Sequence, residues 1–197
     1  MSYVRQGPLL LYCMMLCGCV IRAPNYPSSW ASLESARQDC FSVGGVYHNK
    51  GERWDERRFG PPHLAYVFFR GVYGRPVNPG GDIWRQDEKD LANGVDSVEI
   101  AVTKEGTLEV TALYEDRPVI KKQLFASKEE YRCNDGKIEL AQSVVDSMGP
   151  RQESVILSKS IDGALVVKEG VFGLGFFVVP IANSEWRRFK PYQSGKR

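Results

Sequence analysis

The feature that most constrains this fold is a change of periodicity near Asp96. From there to Phe189 apolar residues recur at alternate positions, and turn signals cut the run into short pieces. Successive side chains of a strand point to opposite faces, so each piece sorts into a buried row and a wetted row. Val98, Ile100 and Val102 form the first row; Leu108, Val110 and Ala112 form the second. Lys104-Glu105-Gly106, Glu115-Asp116-Arg117, Asn134-Asp135-Gly136 and Ile161-Asp162-Gly163 are turns, and the Asp-Gly pair suits a two-residue hairpin. Further strands are expected over 118–125, 137–143, 153–160, 164–169, 175–180 and 185–189, with a polar hairpin loop over 144–152.

This pattern predicts a mainly β fold, an antiparallel up-and-down meander. A meander that curls into a barrel or half-barrel removes its exposed edges. A two-sheet sandwich is the alternative. One or two short helices are expected in the N-terminal half. Ser29 could cap one through Trp30, Leu33 and Ala36. Pro61-Pro62 precede His63, and the spacing of Leu64, Val67 and Phe68 favours another. A first strand is expected over 43–49, turned by Lys50-Gly51-Glu52. Residues 71–95 are rich in glycine and proline and read as irregular, with a helical turn over 86–92.

The N-terminus has a different logic. Residues 1–6 carry one positive charge, Arg5, and are followed by the apolar run Leu9-Leu10-Leu11-Tyr12-Cys13-Met14-Met15-Leu16. That run is too short to span a bilayer, which takes about 20 residues, and it has the layout of a secretory signal. Leu16-Cys17-Gly18-Cys19 resembles the lipobox of bacterial lipoproteins. The resemblance implies diacylglycerol on the Cys19 thiol, cleavage between Gly18 and Cys19, and acylation of the new amine. Val20, standing where Asp would hold such a protein at the inner membrane, points to the outer membrane. The chain then divides into a signal peptide (1–18), a lipidated Cys19 with a flexible tether (19–29) and a single β-rich domain (30–197).

Cysteine usage follows from that reading. Cys13 and Cys17 leave with the signal and Cys19 carries lipid, so Cys40 and Cys133 remain as a pair in an oxidising compartment. A Cys40–Cys133 disulfide is expected. The segments Gly45-Val46-Tyr47-His48-Asn49-Lys50-Gly51-Glu52 and Trp186-Arg187-Arg188-Phe189 loosely resemble small uncharacterised lipoproteins of Gram-negative bacteria, a resemblance that carries no activity.

Familiar chemistry is missing. The formal charge is +2, from 26 basic and 24 acidic residues, so no strong field invites nucleic acid. His48 and His63 are the only histidines, and no Cys or His has metal-ligand spacing. No Gly-x-Ser-x-Gly elbow, phosphate loop or dinucleotide fingerprint occurs. Gly170-Val171-Phe172-Gly173-Leu174-Gly175 reads as a flexible hairpin, and the acid pairs Asp55/Glu56 and Asp87/Glu88 as solvated loops. Trp54, Phe59, Tyr73 and Trp84 concentrate in the irregular first half and are candidates for a partner or ligand surface. The expectation is a cofactor-free, non-enzymatic protein, anchored to the membrane through Cys19, facing the periplasm and binding an envelope protein. A lipocalin-like carrier of a small apolar ligand is the alternative.

Overall fold

A computed structural model describes residues 20–22, 24–35, 39–54, 62–69, 94–146, 149–175 and 179–193. In chain order the strands are β1 (Val20–Arg22), β2 (Gly45–His48), β3 (Glu52–Arg53), β4 (Ser97–Val102), β5 (Thr107–Tyr114), β6 (Arg117–Phe125), β7 (Arg132–Asn134), β8 (Lys137–Asp146), β9 (Gly149–Lys159), β10 (Leu165–Gly175) and β11 (Val179–Phe189). The helix α1 spans Leu64–Phe69, the segment where apolar spacing favours a helix over a strand. Single 3-10 turns occur at Phe41–Val43 and Ala126–Lys128.

The strands form two sheets, each a local meander. The smaller has the order β2-β4-β5-β6, and the larger β1-β11-β10-β9-β8-β7, with β3 added to β11. All pairings are antiparallel except β1 with β11. Turn chemistry sets two of the hairpins. Glu115 and Asp116, and likewise Asp135 and Gly136, take positive φ (49°, 59°, 49° and 70°), the mirror-image turn that matches strand twist.

The expected closed barrel is not found. The two sheets join along one side, where residues 45–53 run antiparallel to 187–192. His48 N–H donates to the Lys190 carbonyl (2.9 Å), Tyr192 N–H donates to that of Val46 (2.8 Å), and Glu52 and Arg53 pair with Arg188 and Arg187. Gly51 makes this corner possible: a Cβ there would lie 2.5 Å from Phe189 Cε1 and 2.7 Å from the Arg188 carbonyl. On the opposite side β6 and β7 do not pair. Pro118 removes a donor from β6, Lys121 and Lys122 discourage a neighbour, and β7 is three residues long.

The sheets and α1 bury one core. Tyr47, Val98, Ile100, Leu108, Val110 and Ala112 come from the small sheet, and Ile138, Leu157, Leu165, Val167 and Phe189 from the large one. Leu64, Ala65, Phe68 and Phe69 of α1 join them. Full burial of each large apolar side chain contributes about 1.5–3 kcal/mol. Lys122, on the inner row of β6, donates from Nζ to the Phe68 carbonyl at the helix end (2.9 Å). Burial lowers its pKa, and Glu130 partly offsets this. Cys40 and Cys133 are bonded, Sγ–Sγ 2.06 Å, tying the first 3-10 turn to β7 across 93 residues.

Three local expectations are corrected. Residues 24–34, read as tether and helix, lie along the outer face of the large sheet. Trp186 Nε1–H donates to the Pro24 carbonyl (2.9 Å), and Tyr26 stands edge-on to Trp186 and Trp30 at 5.2 and 6.1 Å. Leu33 bridges to Ser160, Glu34 N–H donates to the Lys159 carbonyl, and Val166, on the same face as Trp186, is fully buried. A short isolated helix is marginal in water, and burying three aromatic rings outweighs it. The glycine-rich 170–175 segment is strand rather than hairpin: a Cβ on Gly170 would sit 2.8 Å from Ser154 Oγ, so glycine permits close strand approach. The 144–152 loop is mostly ladder, since β8 runs to Asp146 and β9 starts at Gly149. Among the described residues no helix is long and apolar enough to cross a membrane. Cys19 lies outside the described residues, as does the turn expected over 86–92.

Candidate functional site

The outer face of the small sheet presents a row that reads straight across four strands. Val46, Glu99, Thr111 and Lys121 are successive register partners. A register shift at Ala112/Leu113, where β6 carries the extra residue Val119, brings Leu113 opposite Pro118. Tyr192 closes the β2 side, edge-on to His48 at 5.0 Å. Together with Asp116 these residues line an open groove of about 520 Å³. Lys121 Nζ is 3.0 Å from a Glu109 carboxylate oxygen, and Glu99 and Asp116 are the acidic residues of the lining. Its apolar walls are Val46, Leu113, Pro118 and Tyr192. Tyr114 and Val119 are exposed at the same end of the hairpin.

Charged groups on the large sheet are locked into pairs. On the face of β10 and β11 that carries Val167 and Phe189, Arg187 meets Glu169 (2.7 Å) and Glu185 (3.5 Å), and Arg53 meets Glu185 (3.2 Å). Arg53 and Arg187 are direct register partners, as are Glu169 and Glu185. Opposite charges therefore sit on the diagonals and neutralise two like-charge cross-strand pairs. Across the sheet, Arg188 binds Glu52 (3.1 Å) and Asp162, and Lys190 binds Glu52 (2.7 Å). The hydrogen bond from Lys190 does most to hold the Glu52 carboxyl below its usual range, and that from Ser160 does the same for Asp162. These carboxylates are committed to cations and hydroxyls, the opposite of a poised general acid.

Neither histidine stands in a catalytic arrangement. His48 is exposed beside Tyr192. His63 Nδ1 lies 3.4 Å from Asn49 Nδ2, and its ring tilts against Tyr66. Burial first, then the charges of Lys50 and Arg53, hold its pKa below the ordinary value. The organising residue is Asn49, fully buried at the corner between β2 and β3. Its Oδ1 accepts from Ala65 N–H (2.8 Å), its Nδ2 donates to the Val95 carbonyl (3.0 Å), and its backbone bonds to Asp96 and Leu64. Asn49 thus caps α1 from a distant strand end and pins it to β4. Among the described residues no group of three or more His, Cys, Asp or Glu side chains gathers as metal ligands.

Of the four aromatic residues singled out in the sequence, Trp54 is 44% exposed just beyond β3, its N–H donating to the Trp186 carbonyl (3.3 Å). Phe59, Tyr73 and Trp84 lie outside the described residues. Sequence reasoning missed the groove, the Tyr26–Trp30–Trp186 cluster and Asn49. The groove row had a signal in the polar members of the alternation, Glu99, Thr111 and Lys121. Asn49, inside an Asn-Lys-Gly run, carried none beyond that of a turn. Comparison with protein-family models, with curated proteins and with solved structures gives no match to this chain.

Proposed function

We propose that this is a lipid-anchored envelope protein, attached through Cys19 and facing the periplasm, that binds a protein partner and catalyses no reaction. The observation that carries the address is the Cys40–Cys133 bond. A disulfide belongs to an oxidising compartment, and it joins the two cysteines that remain once the signal and the lipid have taken the other three. The partner reading draws on the acidic, apolar groove over Val46, Glu99 and Leu113, with Trp54 exposed elsewhere on the domain. A carrier would need an apolar hollow, but Tyr47, Phe68, Phe69 and Phe189 fill the shared core.

Two measurements test this reading. Mass spectrometry of the N-terminal peptide from membrane fractions is expected to find acylated Cys19; an unmodified thiol there would end the anchor reading. Mild crosslinking of the native chain in membranes is expected to trap a defined species that Glu99→Lys with Leu113→Asp no longer traps. If both chains trap the same background, the groove is not the partner site.

A further inference from the structure

The large sheet runs well past the core it helps to build. Counting along the ladder from Phe189, the last level with a residue in or against the core joins Leu140, Val155, Glu169 and Glu185. β10 and β11 pair for six more levels, from Gly170↔Ser184 to Gly175↔Val179, and of these levels the described residues 170–173 and 182–184 lie outside that core. β1 pairs at this far end, through Val20↔Ile181, Ile21↔Ala182 and Arg22↔Asn183. Cys19 directly precedes Val20 in the sequence. A lipid on Cys19 would therefore leave the chain at the far end of the sheet, with no free tether between lipid and fold.

The chemistry of that end fits what it would meet. Residues 170–184 contain no charged side chain. Phe172, in the last four residues of β10, is 66% exposed. The other end of the same sheet carries Lys159, Asp162, Glu185, Arg187, Arg188 and Lys190. Arg22 and Arg151 stand at the register positions of Asn183 and Gly173. On the same β9, Glu153 stands in the register of Val171, and Asp146 lies on β8. Aromatic and aliphatic residues partition into the headgroup region, and one acyl signal gains a firm hold when a second membrane contact is added.

We propose that the far end of the β1–β11–β10 ribbon, with Phe172 on its surface, is a bilayer-contact surface that seats the domain directly on the membrane. Its orientation rests on the Cys19 anchor reading; its apolar chemistry does not. The sheet then stands with its charged end and the Glu99 groove away from the lipid.

The test places an environment-sensitive fluorophore on the full chain at Phe172→Cys or, at the opposite end, Ile161→Cys, which is 68% exposed. Labelling of the parent chain is subtracted. In phosphatidylethanolamine–phosphatidylglycerol vesicles the label at 172 is expected to shift to the blue and to be several-fold less quenched by aqueous iodide than the label at 161. Equal quenching at both positions overturns the contact surface. The mass of the Cys19 peptide from the same preparation decides the anchor separately. An unmodified Cys19 with a shielded 172 label removes the anchor and keeps the surface. An acylated Cys19 with an open 172 label does the reverse.

Discussion

The two ends of the large sheet share strands and ladder but not their packing. At one end Leu157, Leu165, Val167 and Phe189 are sealed by α1 and the small sheet, while Val166 is buried on the reverse face, along which residues 24–34 run. At the other end β10 and β11 pair on through uncharged residues, of which the described ones, 170–173 and 182–184, lie outside the core. Ladder hydrogen bonds contribute little net stability by themselves, because the unfolded chain bonds equally well to water. An isolated ribbon is marginal without an apolar face to bury. The difference teaches that the core end holds the fold, while the far end is free to be shaped by what it touches.

The sharpest way to break this contrast is to release the core end. Reducing the Cys40–Cys133 bond is expected to cost about 4–5 kcal/mol as an upper figure, read as a lower guanidinium midpoint. Phe189→Ala removes the ring against which Gly51 packs and is expected to cost about 3–5 kcal/mol in the same assay. Asn49→Ala leaves the Ala65 N–H and the Val95 carbonyl without their partner in a buried site, for about 1–3 kcal/mol.

Acid provides a smaller test of the same end. His63 has its pKa held below 6.5, so the unfolded chain binds that proton more readily. Stability is then expected to fall as pH drops through the unfolded-state value, and to recover above it. Glu52 and Asp162, held low in the fold, lose their stabilisation as pH falls through their folded values, in the same direction. His63→Gln is expected to flatten the slope of the unfolding midpoint near pH 6.5 and to leave the more acidic part unchanged. The smallest effect belongs to the far end. Phe172→Ala is expected to move stability by no more than about 0.5 kcal/mol. A loss comparable to that of Phe189→Ala would erase the distinction between the ends.

Much of the strand pattern was legible beforehand because period two survives without tertiary help. Residues 107–114 were read as the strand that β5 forms, and the Asn134-Asp135-Gly136 turn lies where β7 meets β8. Glycine misled in 170–175, where its use is close strand approach and not freedom. Residues 24–34 were opaque for a different reason: what they dock on, Trp186 and the Lys159–Ser160 strand end, lies more than a hundred residues away. The candidate site was legible only in its parts, since a row across four strands exists only once register is set.

By itself, then, the sequence determined a mainly β, antiparallel chain, its tightest turns and its inward rows. These depend on local alternation and on turn residues that tolerate positive φ. Only the tertiary structure decided that the meander splits into two sheets joined at Asn49–Gly51, that β6 and β7 stay apart, and that residues 24–34 dock on the outer face. Each of those outcomes is a competition between distant surfaces, settled by which apolar groups and which edges can reach one another.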